Sequence, residues 1–270
     1  MDDYEIIALF CHLDDFCQAH SCNGDRRQIM TNSEIILVAL LASRMFSGNL
    51  SHARRFLKNK NYCPSMLSVS RFNRRLHQID EGIWLELTKS FSSSHKEYMV
   101  DSFPIPVCRL ARGYRSHLFV SEEFRGYNAS HKIWYFGLKV HLIVTAQGEP
   151  VSFIISPACE HDLTALKIME MPLPQGAKIY GDKAYTDYGF EEELQEKKGI
   201  TLVAQRKKNS KRPHPEHVEK RRSKVRKMVE TTISGIVRMM PRWIQAVTEK
   251  GFELKLTLFV LGFASRQLAS

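Results

Sequence analysis

Near residue 97 the apolar residues of this chain change their period. Before that point they recur every three or four positions, as Ile6, Ile7, Phe10, Leu13 and Phe16 do, which is the spacing of one helical face. From Tyr98 onward they form short runs bounded by Gly and Pro, which is the pattern of strands. The break divides the chain into an all-α segment, 1–95, and an α/β segment, 96–270.

The helical segment has local signals of its own. Thr31 followed by Glu34 makes a capping box ahead of the apolar run Ile35–Leu41. Ser51–Lys58 reads as a short basic helix, and Pro64 interrupts the chain after it. Ser70 is a candidate N-cap for a helix with Phe72 and Leu76 facing inward. Arg71, Arg74 and Arg75 would then face outward, as in a helix-turn-helix-like module that docks on DNA phosphates. A solvated charged face is the competing reading.

In the second segment Tyr98–Val107 reads as a strand that Pro104 and Pro106 should end. Residues 109–131 read as an irregular excursion. There the bases Arg109, Arg112, Arg115 and Arg125 alternate with Tyr114, Phe119, Phe124 and Tyr127, and those rings suit packing better than base stacking. Ile133–Thr145 and Pro150–Ser156 form a hairpin about Gln147-Gly148. A helix over His161–Met169, a strand over Ala177–Tyr180, a helix over Asp187–Lys198 closed by Gly199, and a strand over Ile200–Ala204 follow. Residues 205–227 hold eleven Lys or Arg against two Glu, which suggests a flexible basic connector, 205–222, and a helix from about Arg222 to Pro241. Phe252–Ala264 is a last apolar helix. The order is β-β-β-α-β-α-β-α.

Three acids stand out in this order. Asp is a poor strand former, yet Asp101 lies inside an apolar run. Asp182 follows a strand and a glycine, at the kind of strand end where ligands gather in open sheets. Glu230 lies at the edge of a helical stripe formed by Val225, Val229, Ile233, Ile236, Val237 and Met240. Carboxylates with open coordination positions suit Mg²⁺ or Mn²⁺. Each acid also has a plainer role open to it. Asp101 could cap a turn, Asp182 could pair with Lys183, and Glu230 could pair with Arg226 or Lys227.

Charge identifies the class of partner. Lys and Arg number 39 against 29 Asp and Glu, a formal charge of +10, which favours a polyanion, most commonly nucleic acid. The six cysteines form no CxxC pair and no zinc spacing, so they read as reduced thiols; a cluster of Cys11, Cys17 and Cys22 with His12 and His20 is the weaker reading. The acidic start lacks a signal peptide's basic region, and no apolar run approaches the roughly 18 residues of a membrane span, so a cytoplasmic protein is expected.

At these residues the chain resembles bacterial insertion-sequence transposases with a DDE triad, specifically the insertion-sequence 982 family. The stretches that carry the resemblance are Val100–Cys108, Arg125–Tyr127, Tyr135–His141, His161–Ala165, Gly181–Tyr185, Gln205–Ser210 and Val229–Thr232. They span most of 98–264 in order; residues 1–95 match only in helical character. The resemblance implies a ribonuclease-H-like catalytic domain, a mixed sheet flanked by helices, behind an N-terminal all-α domain. It implies a triad of Asp101, Asp182 and Glu230 that holds Mg²⁺ (or Mn²⁺), as two ions. It implies that the protein binds the terminal inverted repeats of its element as a homodimer or higher oligomer, and cleaves and transfers strands of double-stranded DNA. Expected DNA contacts are Arg71, Arg74, Arg75, Lys139, Lys183, Arg206, Lys207, Lys208, Lys211, Arg212, Arg226 and Lys227. Asp162 could lie near the metal or cap its helix, and Lys139 and His141 share a strand face. The alternatives are an inactive or domesticated relative that only binds DNA, and a nuclease on the same fold.

Overall fold

The computed structural model describes residues 2–22, 28–129, 131–207 and 209–269. The chain divides into two compact units, Met1–Phe91 with Gly235–Ser270, and Ser92–Ser234. Helices α1 (Asp3–Ala19), α2 (Asn32–Met45), α3 (Leu50–Asn59), α4 (Val69–His77) and α5 (Glu81–Ser90) come first. Strands β1 (Glu97–Cys108), β2 (Arg125–Asn128), β3 (Ile133–Thr145) and β4 (Pro150–Pro157) follow. Then come α6 (Asp162–Ile168), β5 (Lys178–Gly181), α7 (Tyr188–Lys198), β6 (Thr201–Ala204), α8 (Glu216–Met239) and α9 (Glu249–Ala264). No single described helix is long and apolar enough to cross a membrane.

The helical unit is built on α2. Its capping box forms as expected: Glu34 N donates to Thr31 Oγ1 at 3.2 Å, and Thr31 N donates to Glu34 Oε2 at 2.7 Å. Ile35 through Ser43 are all buried, and a helix apolar on every side belongs at the centre of a core. Around it pack Leu9 and Leu13 of α1, Leu57 of α3, Phe72 and Leu76 of α4, and Leu258 and Leu261 of α9. Each such side chain contributes about 1.5–3 kcal/mol by burial. Residues 235–270 therefore belong with the helices and not, as their position in sequence suggests, with the sheet. Helix α4 begins at Val69 after Ser68, whose side chain makes no cap bond. Arg71 and Arg74 are exposed on it.

The second unit is a six-stranded mixed sheet in the order β2-β3-β1-β5-β6, with β4 also paired to β3. β1, β3 and β4 are antiparallel, while β1, β5 and β6 run parallel. The excursion before β3 contains an unexpected strand, β2, which pairs with β3 from Arg125↔Phe136 to Asn128↔Ile133. Pairing of β1 also continues through its prolines, with Pro104 opposite Lys139 and Pro106 opposite Gly137. Beyond Met99 no pairing with β5 is made, so the second edge of β1 is free there and proline's missing N–H costs no ladder bond.

Alternation along β1 sends its side chains to two faces. Tyr98 and Val100 pack with Leu166 of α6 and Phe190 and Leu194 of α7. Glu97, Met99 and Asp101 take the other face, the one that α8 crosses. Arg221 Nε donates to Glu97 Oε2 at 2.9 Å, and Thr232 Oγ1 donates to the Gly148 carbonyl at 2.7 Å. Helix α8 starts at Glu216, six residues ahead of the expected Arg222, so part of the basic connector is helical. The cues were Pro215 immediately before the helix, then Glu216 and Glu219 in the first turn, where carboxylates favour the macrodipole. The buried stripe is Arg222, Val225, Val229, Thr232, Ile236 and Met239, while Val237 is exposed. Thr232, which reads as polar, takes the inward place expected of Ile233 because of its bond to Gly148.

Gly137 lies opposite Pro106 on β1, beside the irregularity between Pro106 and Cys108. A Cβ there would lie 2.1 Å from the Ile105 carbonyl oxygen and 2.8 Å from Val107 N, both backbone atoms that cannot swing away. Gly137→Ala is expected to lower unfolding free energy by at least about 2 kcal/mol in urea denaturation. A midpoint unchanged from the parent chain would show that the strands can separate there at no cost.

Candidate active site

Parallel pairing of β1 and β5 runs from Glu97↔Lys178 to Met99↔Tyr180. Two residues beyond the last pair on each strand stand Asp101 and Asp182, near enough for the charge of Asp182 to raise the Asp101 pKa. Both carboxylates then project on the α8 face. Each is oriented by its own backbone: Ser102 N donates to Asp101 Oδ1 at 2.8 Å, and Ala184 N donates to Asp182 Oδ1 at 2.8 Å. Asp182 thereby caps the short 3-10 turn Lys183–Tyr185 that follows β5.

Helix α8 brings two more charges to this face. Arg226 Nε donates to Glu230 Oε1 at 2.9 Å, an i,i+4 pair whose side chains are 40% and 55% exposed. Glu230 thus lies at the rim of the buried stripe. Among the described residues no three His, Cys, Asp or Glu side chains stand close enough together to hold a metal ion. Arg226 is the cation that faces the acids. Glu230, Asp101 and Asp182 together raise its pKa.

Asp101 is the strained member. Burial is the main cause that pushes its carboxyl up to about 6, and Asp182 and Asp162 add to the rise. The Ser102 amide and Arg226 pull the other way. A buried carboxyl that resists ionising beside other carboxylates suits a divalent cation, which would offset the cost of its charge. The donor set is oxygen only, the preference of a hard ion such as Mg²⁺ or Mn²⁺. Asp101 and Asp182 therefore fit as ligands, and Glu230 is within one helical turn of the cation that now holds it.

A second polar group lies on the opposite face of β1, where Ser102 points. Ser102 Oγ donates to Asp162 Oδ1 at 2.9 Å, and Lys139 Nζ donates to the same oxygen at 3.2 Å and to the Glu160 carbonyl at 2.8 Å. His141 is fully buried, with Nε2 bonded to Ser156 Oγ at 2.9 Å and Nδ1 3.6 Å from Asp162. Burial lowers its pKa to about 4, so the ring is neutral at pH 7. Tyr185 completes the group with a buried hydroxyl that makes no hydrogen bond of good geometry. Burial, then Asp162, Asp101 and Asp182, hold that phenol well above its usual range. Ser102 and Tyr185 were not singled out by sequence, although alternation along β1 turns Ser102 away from Asp101.

The expected DNA-contacting cations separate into two sets. Lys139 is turned to the back of the sheet. Arg75 is tied to Met30 O at 3.2 Å and to Gln28 and Asn32 at 2.5 Å each, all inside the helical unit. Arg206 makes a two-pronged bond to Glu191, 2.6 Å on each arm, and lies over Tyr188. These three hold the fold together. Arg222, where the sequence places the start of the helix, is buried and paired with Glu219 at 2.9 Å. Arg71, Arg74, Lys183, Lys207, Lys211 and Lys227 are exposed. Lys183 makes no ion pair with Asp182 among the described residues. Arg212 is exposed and bonded to Glu192 at 2.7 Å, and Lys208 lies outside the described residues. Asp162 is the first residue of α6 and not its cap, which is His161.

A family model described as a transposase DDE domain matches residues 91–241. It spans the sheet and α8 with all three acids. No curated protein sequence matches the chain. Among solved structures, a piggyBac transposase synaptic complex with hairpin DNA is similar at a TM-score of 0.49 and 12% identity. That alignment covers 99% of this chain and 66% of the other, so the chain spans a little under two thirds of its length. A likeness this distant bears no weight on function.

The raised Asp101 pKa sets a pH dependence. Its folded value, about 6, lies above the roughly 3.9 of an unfolded aspartate, so between the two the native state holds the extra proton. Stability from this group is present below pH ~4 and is lost as pH rises through 6. Asp101→Asn is expected to stabilise the metal-free protein at pH 7.5, by on the order of 1–2 kcal/mol after allowance for partial solvation, and to have little effect at pH 4. Denaturant melts at the two pH values test this; a larger gain at pH 4 would contradict it.

Proposed function

The chain belongs to the transposase DDE-domain family, and from that premise we propose that it cuts and joins DNA at the ends of its own insertion sequence. The observation that carries the reading is the nearness of Asp101 to Asp182, just past the parallel pairing of β1 and β5, with Arg226 and Glu230 on the helix crossing the same face. The stretches Val100–Cys108, Tyr135–His141 and Gly181–Tyr185, with the others like them, support membership of the insertion-sequence 982 family. Its substrate is double-stranded DNA that carries the element's terminal inverted repeats, and a homodimer or higher assembly pairs the two ends.

Asp101, Asp182 and Glu230 are the residues that would hold Mg²⁺ or Mn²⁺. Glu230 takes part when its pair with Arg226 opens. Bound divalent ions would stabilise the attacking and leaving oxygens of an in-line displacement at phosphorus. The chain's own residues set the geometry of that reaction. The Ser102 and Ala184 amides aim the two aspartates. Arg226, released from Glu230, presents a guanidinium to phosphate at the same site, where its planar fork suits two phosphate oxygens. Water is the first nucleophile and the freed 3′-hydroxyl the second, so one site serves cleavage and strand transfer in turn.

Affinity for DNA comes from the exposed cations, Arg71 and Arg74 on α4 and Lys183, Lys207, Lys211 and Lys227 in the sheet unit. These contacts are sequence-blind and salt-sensitive.

Asp101→Asn, Asp182→Asn and Glu230→Gln are each expected to abolish nicking and strand transfer of end-containing duplex in Mg²⁺, with circular dichroism unchanged. Binding without cleavage by the parent protein would leave only a DNA-binding relative, and cutting without joining would leave a nuclease. Mg²⁺ or Mn²⁺ should raise the melting temperature of the parent protein but not of Asp101→Asn or Asp182→Asn, a readout that needs no DNA. Arg71→Ser with Arg74→Ser should flatten the slope of log K against log[salt] by about 2, near 0.9 for each phosphate that is no longer neutralised. An unchanged slope would remove α4 from the DNA interface.

A further inference from the structure

The β2–β3 hairpin exposes rings that the fold does not use. Tyr127 and Trp134 face each other across the hairpin, with ring centroids 5.2 Å apart and planes tilted by 52°. They are 50% and 62% exposed. Packing of aromatic residues does explain part of this region: Phe119 is buried, and Phe124 lies between it and Phe136 at 5.0 and 6.4 Å. It does not explain Tyr127, Trp134 or Tyr114, the last of which is 68% exposed with the Arg115 guanidinium over its ring at 5.0 Å.

Register places these rings on the face that carries the acids. Residues paired across antiparallel strands share a face. Asp101↔Leu142, Phe103↔Val140 and Ile105↔Leu138 define that face along β3, and Arg125↔Phe136 and Tyr127↔Trp134 continue it. Gly113 presses on the Phe136 ring, where an added Cβ would come within 2.7 Å, so the turn bearing Tyr114 and Arg115 lies over the same side. From Leu142 to Trp134 is eight residues of β3, about 27 Å at 3.4 Å per residue. The rings are therefore well outside the carboxylate site.

Charge decides between the partners such a surface could take. Residues 109–132 hold five Arg or Lys against two Glu. One of these, Arg125, is paired with Glu122 at 3.0 Å. Two copies meeting through this patch would oppose like charges, whereas a polyanion with flat, stackable groups matches both its charge and its rings. We propose that Tyr127 and Trp134, with the basic residues around them, form a second DNA contact that stacks on unpaired bases, remote from the three acids. Paired bases in a duplex offer no free faces, so the contact prefers a strand opened or frayed at an element end or target site.

This rests on the transposase reading for the identity of the polyanion, and its test is independent of catalysis. The full chain, in EDTA, is titrated with a single-stranded oligonucleotide and with the matching blunt duplex, and intrinsic tryptophan fluorescence and anisotropy are followed. Single strand is expected to quench fluorescence, and Trp134→Phe should remove most of the quench while keeping affinity within about threefold, since phenylalanine still stacks. Tyr127→Ala with Trp134→Ala should weaken single-strand binding by about 10- to 100-fold, the equivalent of stacking on one or two bases, with duplex affinity changed less than about threefold. Single-strand affinity unchanged in the double variant would overturn the proposal. So would equal losses for both DNAs, or a quench that persists in Trp134→Phe. A shift in oligomeric state without a change in DNA affinity would overturn it too, and would assign the patch to a second copy of the chain. Should the double variant fold poorly, Trp134→Phe and Trp134→Ala, compared on single strand at matched circular dichroism, carry the same test. Failure of cleavage in Mg²⁺ would overturn the enzyme reading and leave this result standing.

Discussion

Two aspartates brought near each other just past the parallel pairing of β1 and β5 are the constraint on which the rest of this structure depends. β1 and β5 share only a short stretch of pairing, from Glu97 to Met99. Asp101 and Asp182 each follow that stretch by two residues, and Asp182 is near enough to raise the Asp101 pKa. The resulting repulsion has to be balanced. In this structure Arg226 faces both acids while it is bound to Glu230. The third acid is thus kept on the same face by the cation that balances the first two.

The remainder of the sheet unit keeps this arrangement in place. Arg221 ties α8 to Glu97 at the start of β1, and Thr232 ties it to the Gly148 turn, so the helix is pinned on either side of Arg226 and Glu230. Behind β1, Ser102, Lys139 and His141 surround Asp162. That group accounts for polar residues that look functional in sequence. Asp162 is close enough to Asp101 to raise its pKa, yet it projects from the other side of the sheet. Lys139 and Arg206 show how a basic residue in a strongly basic chain can be a structural tie, since each is held by a nearby acid and is partly or wholly buried. Their pairing serves to neutralise buried charge more than to add stability.

Much of the fold was legible because periodicity reports burial. The strand over Ile133–Thr145 and the capping box before α2 could be read to the residue, as could the end of α7 at Gly199, where the backbone is left-handed with φ 64°. β2 could not be read, because its four residues, Arg125–Asn128, carry no apolar alternation and gain their strand character from pairing with β3. The start of α8 was hidden by composition: a dense run of Lys and Arg reads as connector, although a helix with an acidic first turn tolerates it well. α9 was misplaced because an apolar helix announces that it is buried but not which core buries it.

For the site, the residues themselves were determined by the sequence: an acid in an apolar strand, an acid after a strand and glycine, and an acid at the edge of a helical stripe. So was the basic character that points to a polyanion. Only the tertiary structure decided which of these charges meet and which are already engaged. Sequence neighbours on a strand point to opposite faces, so Asp101 feels the charge of Asp182, 81 positions on, while adjacent Ser102 bonds to Asp162, 60 positions on. Whether a cation is free depends on what long-range packing sets beside it. That is why Arg71 and Arg74 remain open to solvent while Arg75, the next residue on the same helix, is spent on Gln28 and Asn32.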